Sequence, residues 1–104
     1  KSSPQYAMAQ KYMPRGASGV LCFGVKGGKE AGEKVMNSLK IAAIVVHVAD
    51  IRTGVLHPAS MTHRQLSEQE LIAAGVSPDL IRVSVGIEHI DDLKADFDQA
   101  LRQV

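Results

Sequence analysis

Two stretches of this chain carry apolar residues at helical spacing, and each has only one apolar face. Near the C-terminus Ile90, Leu93, Phe97 and Leu101 form a single stripe with polar and charged residues between them. Ala31, Val35, Met36 and Leu39 form the other. A helix of this kind must bury its stripe against another element. The runs between the stripes supply that element. "GVLCFGV" (19–25), "IAAIVVHVA" (41–49) and Leu80 to Val85 are rich in β-branched and aromatic residues, so each reads as a strand. A chain of 104 residues suits one core. The order β-α-β-(β)-α-β-α therefore predicts an α/β fold, a two-layer α/β sandwich with a mixed or mostly antiparallel sheet. Its helices, near 29–40 and 90–104, lie on one face.

Local signals refine this. Residues 5 to 12 read as a short helix before Pro14, and "PRGAS" as a turn. Ser67 followed by Glu70 is a capping-box pattern for a short helix that Gly75 can end in a left-handed conformation. Asp91 and Asp92 in the first turn of the last helix, and Arg102 at its end, suit the helix dipole. The run 41–49 is nearly continuous in apolar character, so it is expected to be covered on both faces. Short extended pieces surround "GVLHPAS", where Pro58 holds His57 extended.

Composition excludes several classes. The formal net charge is +1, the basic residues are scattered, and two Tyr and two Phe give few stacking platforms. Neither nucleic acid nor an anionic membrane is the expected partner. The longest apolar run, "IAAIVV", is strand-sized and far short of a membrane span. Cys22 is the only cysteine, which forbids an internal disulfide and points to a reducing compartment, the cytoplasm. The first residues lack the apolar core of a signal peptide, and they lack an initiator Met, which points to processing or to excision from a longer chain.

One residue is out of place. Side chains alternate along a strand, so Ile81, Val83 and Val85 point one way, while Arg82, Ser84 and the open space at Gly86 lie on the other side. A buried unpaired guanidinium is very costly. Arg82 thus faces solvent, pairs with an acid such as Glu88, or anchors a ligand through its planar fork of donors. "HPASMTHRQ" (57–65) is dense in polar groups and reads as a surface loop or the lining of a site. His47, His57 and His63 lack the companions of a metal site, and no metal is expected. "GVKGGKEAG" is no phosphate loop, because Glu30 follows Lys29 where Ser or Thr is required. Cys22 reads as a core residue. No nucleophile, base and orienting group occur together, so no catalytic residue is assigned.

"GVLCFGVKGG", "VHVADIRT", "HPASMTH" and "IRVSVGIE" closely resemble the C-terminal domain of the Cys/Met-metabolism pyridoxal-phosphate (PLP) enzymes, from about residue 6 to the C-terminus. Within that family the chain looks most like the O-acetylhomoserine sulfhydrylases, through "HVADIRTGVLHPASMTHRQLSEQ". The resemblance implies the small C-terminal domain of a fold-type I PLP enzyme, one domain over residues 1–104. It implies that Arg82 grips the α-carboxylate of the amino-acid substrate. His47 stands where the family commonly has Ser or Asn near that carboxylate, and Ala49 where it has Gly before Asp50. Thr62 matches a position near the substrate. The family's cofactor, pyridoxal 5'-phosphate, is held by a lysine of a preceding large domain, and its motif does not occur in this sequence. The chain alone is therefore expected to be inactive, and free to self-associate through surface the large domain would cover. The parent is expected to be a cytoplasmic homotetramer acting on O-acetylhomoserine in methionine biosynthesis. Other readings are cystathionine γ-synthase or a methionine or cystathionine lyase of the same family, or a free-standing α/β binding module.

Overall fold

The computed structural model describes residues 2–104. Along the chain run α1 (Tyr6–Tyr12), β1 (Val20–Gly24), α2 (Gly28–Ser38), β2 (Ala43–Ile44), β3 (Gly54–Leu56), α3 (Glu68–Ala73), β4 (Leu80–Ser84) and α4 (Ile90–Leu101). The four strands form one mixed sheet in the order β1-β4-β3-β2. β4 pairs antiparallel with both β1 and β3, while β2 runs parallel to β3.

Alternation along β4 decides the inside of the sheet. Ile81 and Val83 are buried together with Val55 of β3, with Val35 and Met36 of α2, and with Ala100 of α4. Phe97 of α4 meets Phe23 of β1 edge to face, with ring centroids 6.4 Å apart. Both long helices thus lie on one face, as their stripes predict. The other face carries Arg82, Ser84 and, directly across from Arg82, Cys22 and Leu56.

The ends of the elements have physical causes. Gly27, at φ 107°, turns the chain into α2 in a conformation other residues avoid. The helix stops at Ser38, two residues before the sequence pattern does, because Asp96 of α4 captures the backbone that follows. Its carboxylate accepts from the N–H groups of Lys40 (2.8 Å), Ile41 (2.9 Å) and Ala42 (3.0 Å). Gln99 adds a bond from its amide to the Ser38 carbonyl (2.6 Å). Asp96 is only 4% exposed. Burial alone would raise its pKa, but the three backbone donors and Gln99 together hold it below its ordinary value. α3 has the predicted capping box, with Ser67 and Glu70 bonded reciprocally, and Gly75 follows it at φ 75°.

Two expectations are corrected. Cys22 is exposed, because Leu21 and Phe23 take the inward positions of edge strand β1. The run 41–49 is not a long strand covered on both faces. Only Ala43–Ile44 is strand, and Val46 and Val48 are exposed. β2 is an edge, and two parallel neighbours need a crossover. Residues 45–53 are that crossover and swing across the outer face. Gly54 makes room for it, since a Cβ there would sit 2.7 Å from Val45 Cγ2.

His57, one of the histidines of the polar loop, is fully buried beneath α2. Nε2 lies 2.8 Å from the Pro78 carbonyl oxygen and Nδ1 2.7 Å from Ser60 Oγ. A carbonyl only accepts, so Nε2 carries the proton and Nδ1 accepts from the Ser60 hydroxyl. Gly32 lets the ring fit, since a Cβ there would be 2.7 Å from Nε2. His57 therefore ties the polar loop to the turn before β4.

Candidate substrate-carboxylate site

The outer face of β4 is organised around the crossover. Arg82 donates from Nη2 to the Val46 carbonyl oxygen (2.7 Å). Two residues on, the buried Ser84 hydroxyl accepts from the Ala49 N–H (3.1 Å). Past the end of the strand, Glu88 accepts from the Thr53 N–H (2.7 Å) and hydroxyl (2.8 Å). The Thr53 oxygen in turn accepts from the Gly86 N–H (2.9 Å). Gly86 lets the two backbones meet, because a Cβ there would strike the Ile51 carbonyl and the Thr53 nitrogen. Every second residue of "RVSVGIE" thus pins or accommodates the crossover.

This arrangement settles one sequence alternative. Glu88 is engaged by Thr53, whose backbone and hydroxyl bonds lower its pKa and keep it a carboxylate. It is not the partner of Arg82. Among the described residues no carboxylate lies within ion-pair distance of Arg82. Its single bond to a carbonyl leaves further donors of the guanidinium on a half-buried surface. A planar cation oriented by one fixed acceptor is suited to take a carboxylate or similar anion through its other donors.

The remaining predicted residues are placed unequally. His47 is exposed and sits in the crossover next to the carbonyl that holds Arg82. Thr62 is exposed in the loop after β3, and its hydroxyl bonds His63 Nδ1 (2.8 Å). No hydrogen bond among the described residues joins Thr62 to Arg82 or His47. Sequence reading missed the anchoring roles of Thr53 and Glu88. Gly86 was the available signal, since a glycine just past a strand marks a close backbone approach.

Ala49 is the only described non-glycine residue at positive φ, at 60°. That conformation costs an L-residue about 1–2 kcal/mol. Ala49→Gly should therefore stabilise the chain by about 0.5–1 kcal/mol, the remainder being lost to the greater freedom of glycine in the unfolded state. A higher urea midpoint with an unchanged slope checks this, and an unchanged or lower midpoint would contradict it.

Comparison with known proteins decides the family. The description "Cys/Met metabolism PLP-dependent enzyme" matches residues 1–102. The chain belongs to this family. It is 52% identical over 101 residues to homocysteine synthase of Schizosaccharomyces pombe, covering 97% of this chain and 24% of that protein. It is 48% identical over 98 residues to O-acetyl-L-homoserine sulfhydrylase 1 of Thermus thermophilus, covering 94% of this chain and 23% of that protein. Its fold matches the crystal structure of a putative O-acetylhomoserine (thiol)-lyase from Campylobacter jejuni that carries N'-pyridoxyl-lysine-5'-monophosphate. The TM-score is 0.84 at 36% identity, over 97% of this chain and 24% of that one. The chain therefore spans about a quarter of the length of the relatives it matches. The described residues do not fit the family's cofactor. Lys11, Lys26, Lys29, Lys34, Lys40 and Lys94 are all exposed, and Glu30 stands in the first turn of α2, where it would repel a phosphate.

Proposed function

We propose that the outer face of this domain holds the α-carboxylate of an amino-acid substrate through Arg82. The whole protein that contains it would replace the acetoxy group of O-acetylhomoserine with sulfide or a thiol. The observation that carries the reading is the state of Arg82: a guanidinium fixed by the Val46 carbonyl and paired with no described carboxylate. A bidentate clamp fixes the substrate's orientation, and such positioning contributes several kcal/mol to a reaction, at roughly 7–11 kcal/mol in the best cases. His47 and Thr62 would line the same cleft, His47 through the crossover backbone. The names of the relatives from T. thermophilus and C. jejuni support the substrate. The cofactor would be held outside the described residues and would supply the electron sink when bound.

The test is turnover. The whole protein should release acetate from O-acetylhomoserine in the presence of sulfide, and the 104-residue chain alone should release none above buffer. Acetate release by the isolated chain, or none by the whole protein with its cofactor, would contradict this reading.

A further inference from the structure

We infer that Ser84 is a positioning residue for the Arg82 guanidinium, acting through the turn at 46–49. This rests on the reading of Arg82 as the carboxylate clamp. Residues 82 and 84 point to the same face of β4 and stand about 6.6 Å apart along it. The two side chains hold the two ends of one turn: Arg82 the Val46 carbonyl, Ser84 the Ala49 N–H. The carbonyl fixes the direction of the fork, so whatever fixes the carbonyl aims the arginine. The turn is not self-supporting, because Ala49 sits in a left-handed conformation that alanine disfavours. Ser84 is 4% exposed, too buried to reach a substrate itself, and its known partner is this backbone N–H. Thr53 and Glu88 anchor the far end of the crossover and leave the 46–49 end to Ser84. Loss of the Ser84 hydroxyl frees Ala49 to relax, moves the Val46 carbonyl, and lets the guanidinium sample rotamers that no longer face the substrate.

The test uses the whole protein with its cofactor and O-acetylhomoserine as the varied substrate. Ser84→Ala should raise KM by roughly tenfold and leave kcat within about twofold, because misplaced orientation weakens binding before it alters chemistry. Ser84→Thr, which keeps the hydroxyl, should restore most of the affinity. Ala49→Gly in the Ser84→Ala background should also recover part of it, since glycine holds the turn without strain. In an Arg82→Ala background Ser84→Ala should add nothing further, the non-additivity expected of a residue that acts through another. Ser84→Cys keeps the side-chain volume with a weaker acceptor and carries the same comparison without a cavity. A wild-type KM in both Ser84→Ala and Ser84→Cys, or an equal effect of Ser84→Ala with and without Arg82, would overturn the inference while leaving the clamp in place. A wild-type KM in Arg82→Ala would instead remove the clamp itself.

Discussion

Arg82→Ala in the whole protein should lower kcat/KM for O-acetylhomoserine by about two to four orders of magnitude, with a raised KM. A charge-assisted bidentate pair lost from a desolvated site costs roughly 3–5 kcal/mol. Arg82→Lys should recover little, because a point charge cannot reproduce the fork, nor hold a carbonyl and a carboxylate in one plane. The absorbance of the bound cofactor should be unchanged, since the role proposed for Arg82 is to hold the substrate. The structure also limits the damage elsewhere. Arg82 makes one described hydrogen bond, to Val46, and lies on the face away from the core, so the fold should survive its removal. Steady-state kinetics with a thermal melt as control separates loss of the clamp from loss of the protein. A kcat/KM within a few-fold of wild type would be incompatible with the clamp.

Asp96→Ala should have the largest effect on stability. The substitution strands the N–H groups of Lys40, Ile41 and Ala42 at the turn between α2 and β2, and removes a partner of Gln99. Hydrogen bonds to a charged group contribute about 1.5–3 kcal/mol each, and not additively. The expected loss is about 3 kcal/mol, a fall in melting temperature of roughly 10–20 °C for a domain of this size. Asp96→Asn keeps one acceptor oxygen and should cost less. The pH dependence has a definite sign. The folded-state pKa of Asp96 lies below its ordinary value. Its contribution is therefore fully present above the unfolded-state value, about 3.9, and is lost as pH falls through the folded-state pKa. Asp96→Ala should flatten the acid limb of stability against pH. A melting temperature within a few degrees of wild type would show that water satisfies those three N–H groups.

The parts of this fold that were legible in the sequence are those set by periodicity. The stripe Ile90, Leu93, Phe97 and Leu101 predicts α4, and alternation in β4 places Arg82 opposite Ile81 and Val83. The capping box at Ser67 and Glu70 marks the start of α3. Contacts distant in sequence were not legible. Asp96 reads as one more acid on a polar helix face, yet it reaches the backbone more than fifty positions away and ends α2 early. The run 41–49 has the composition of a buried central strand, but it lies at a sheet edge and leaves to form the crossover, a matter of strand order that composition does not encode. Cys22 was misplaced for a related reason: β1 is an edge strand, and only its alternate residues face the helices. In the site, Arg82 was legible because a cation in a strand is conspicuous. Its actual partner was not, because a main-chain carbonyl such as that of Val46 has no signature in the sequence. Glu88, one candidate partner by sequence, instead holds Thr53.

The most direct measurement of the central claim is a pair of inhibition constants in the whole protein, with and without Arg82. 2-Aminobutyrate and 1-propylamine differ only in the α-carboxylate, so the ratio of their inhibition constants reports what the protein gives to that group. With Arg82 present the carboxylate should improve binding by about a hundredfold or more, the scale of a desolvated charge-assisted pair. In Arg82→Ala the ratio should collapse toward one, the signature of direct coupling between the two deleted groups. An undiminished ratio in Arg82→Ala would mean that some other group holds the carboxylate.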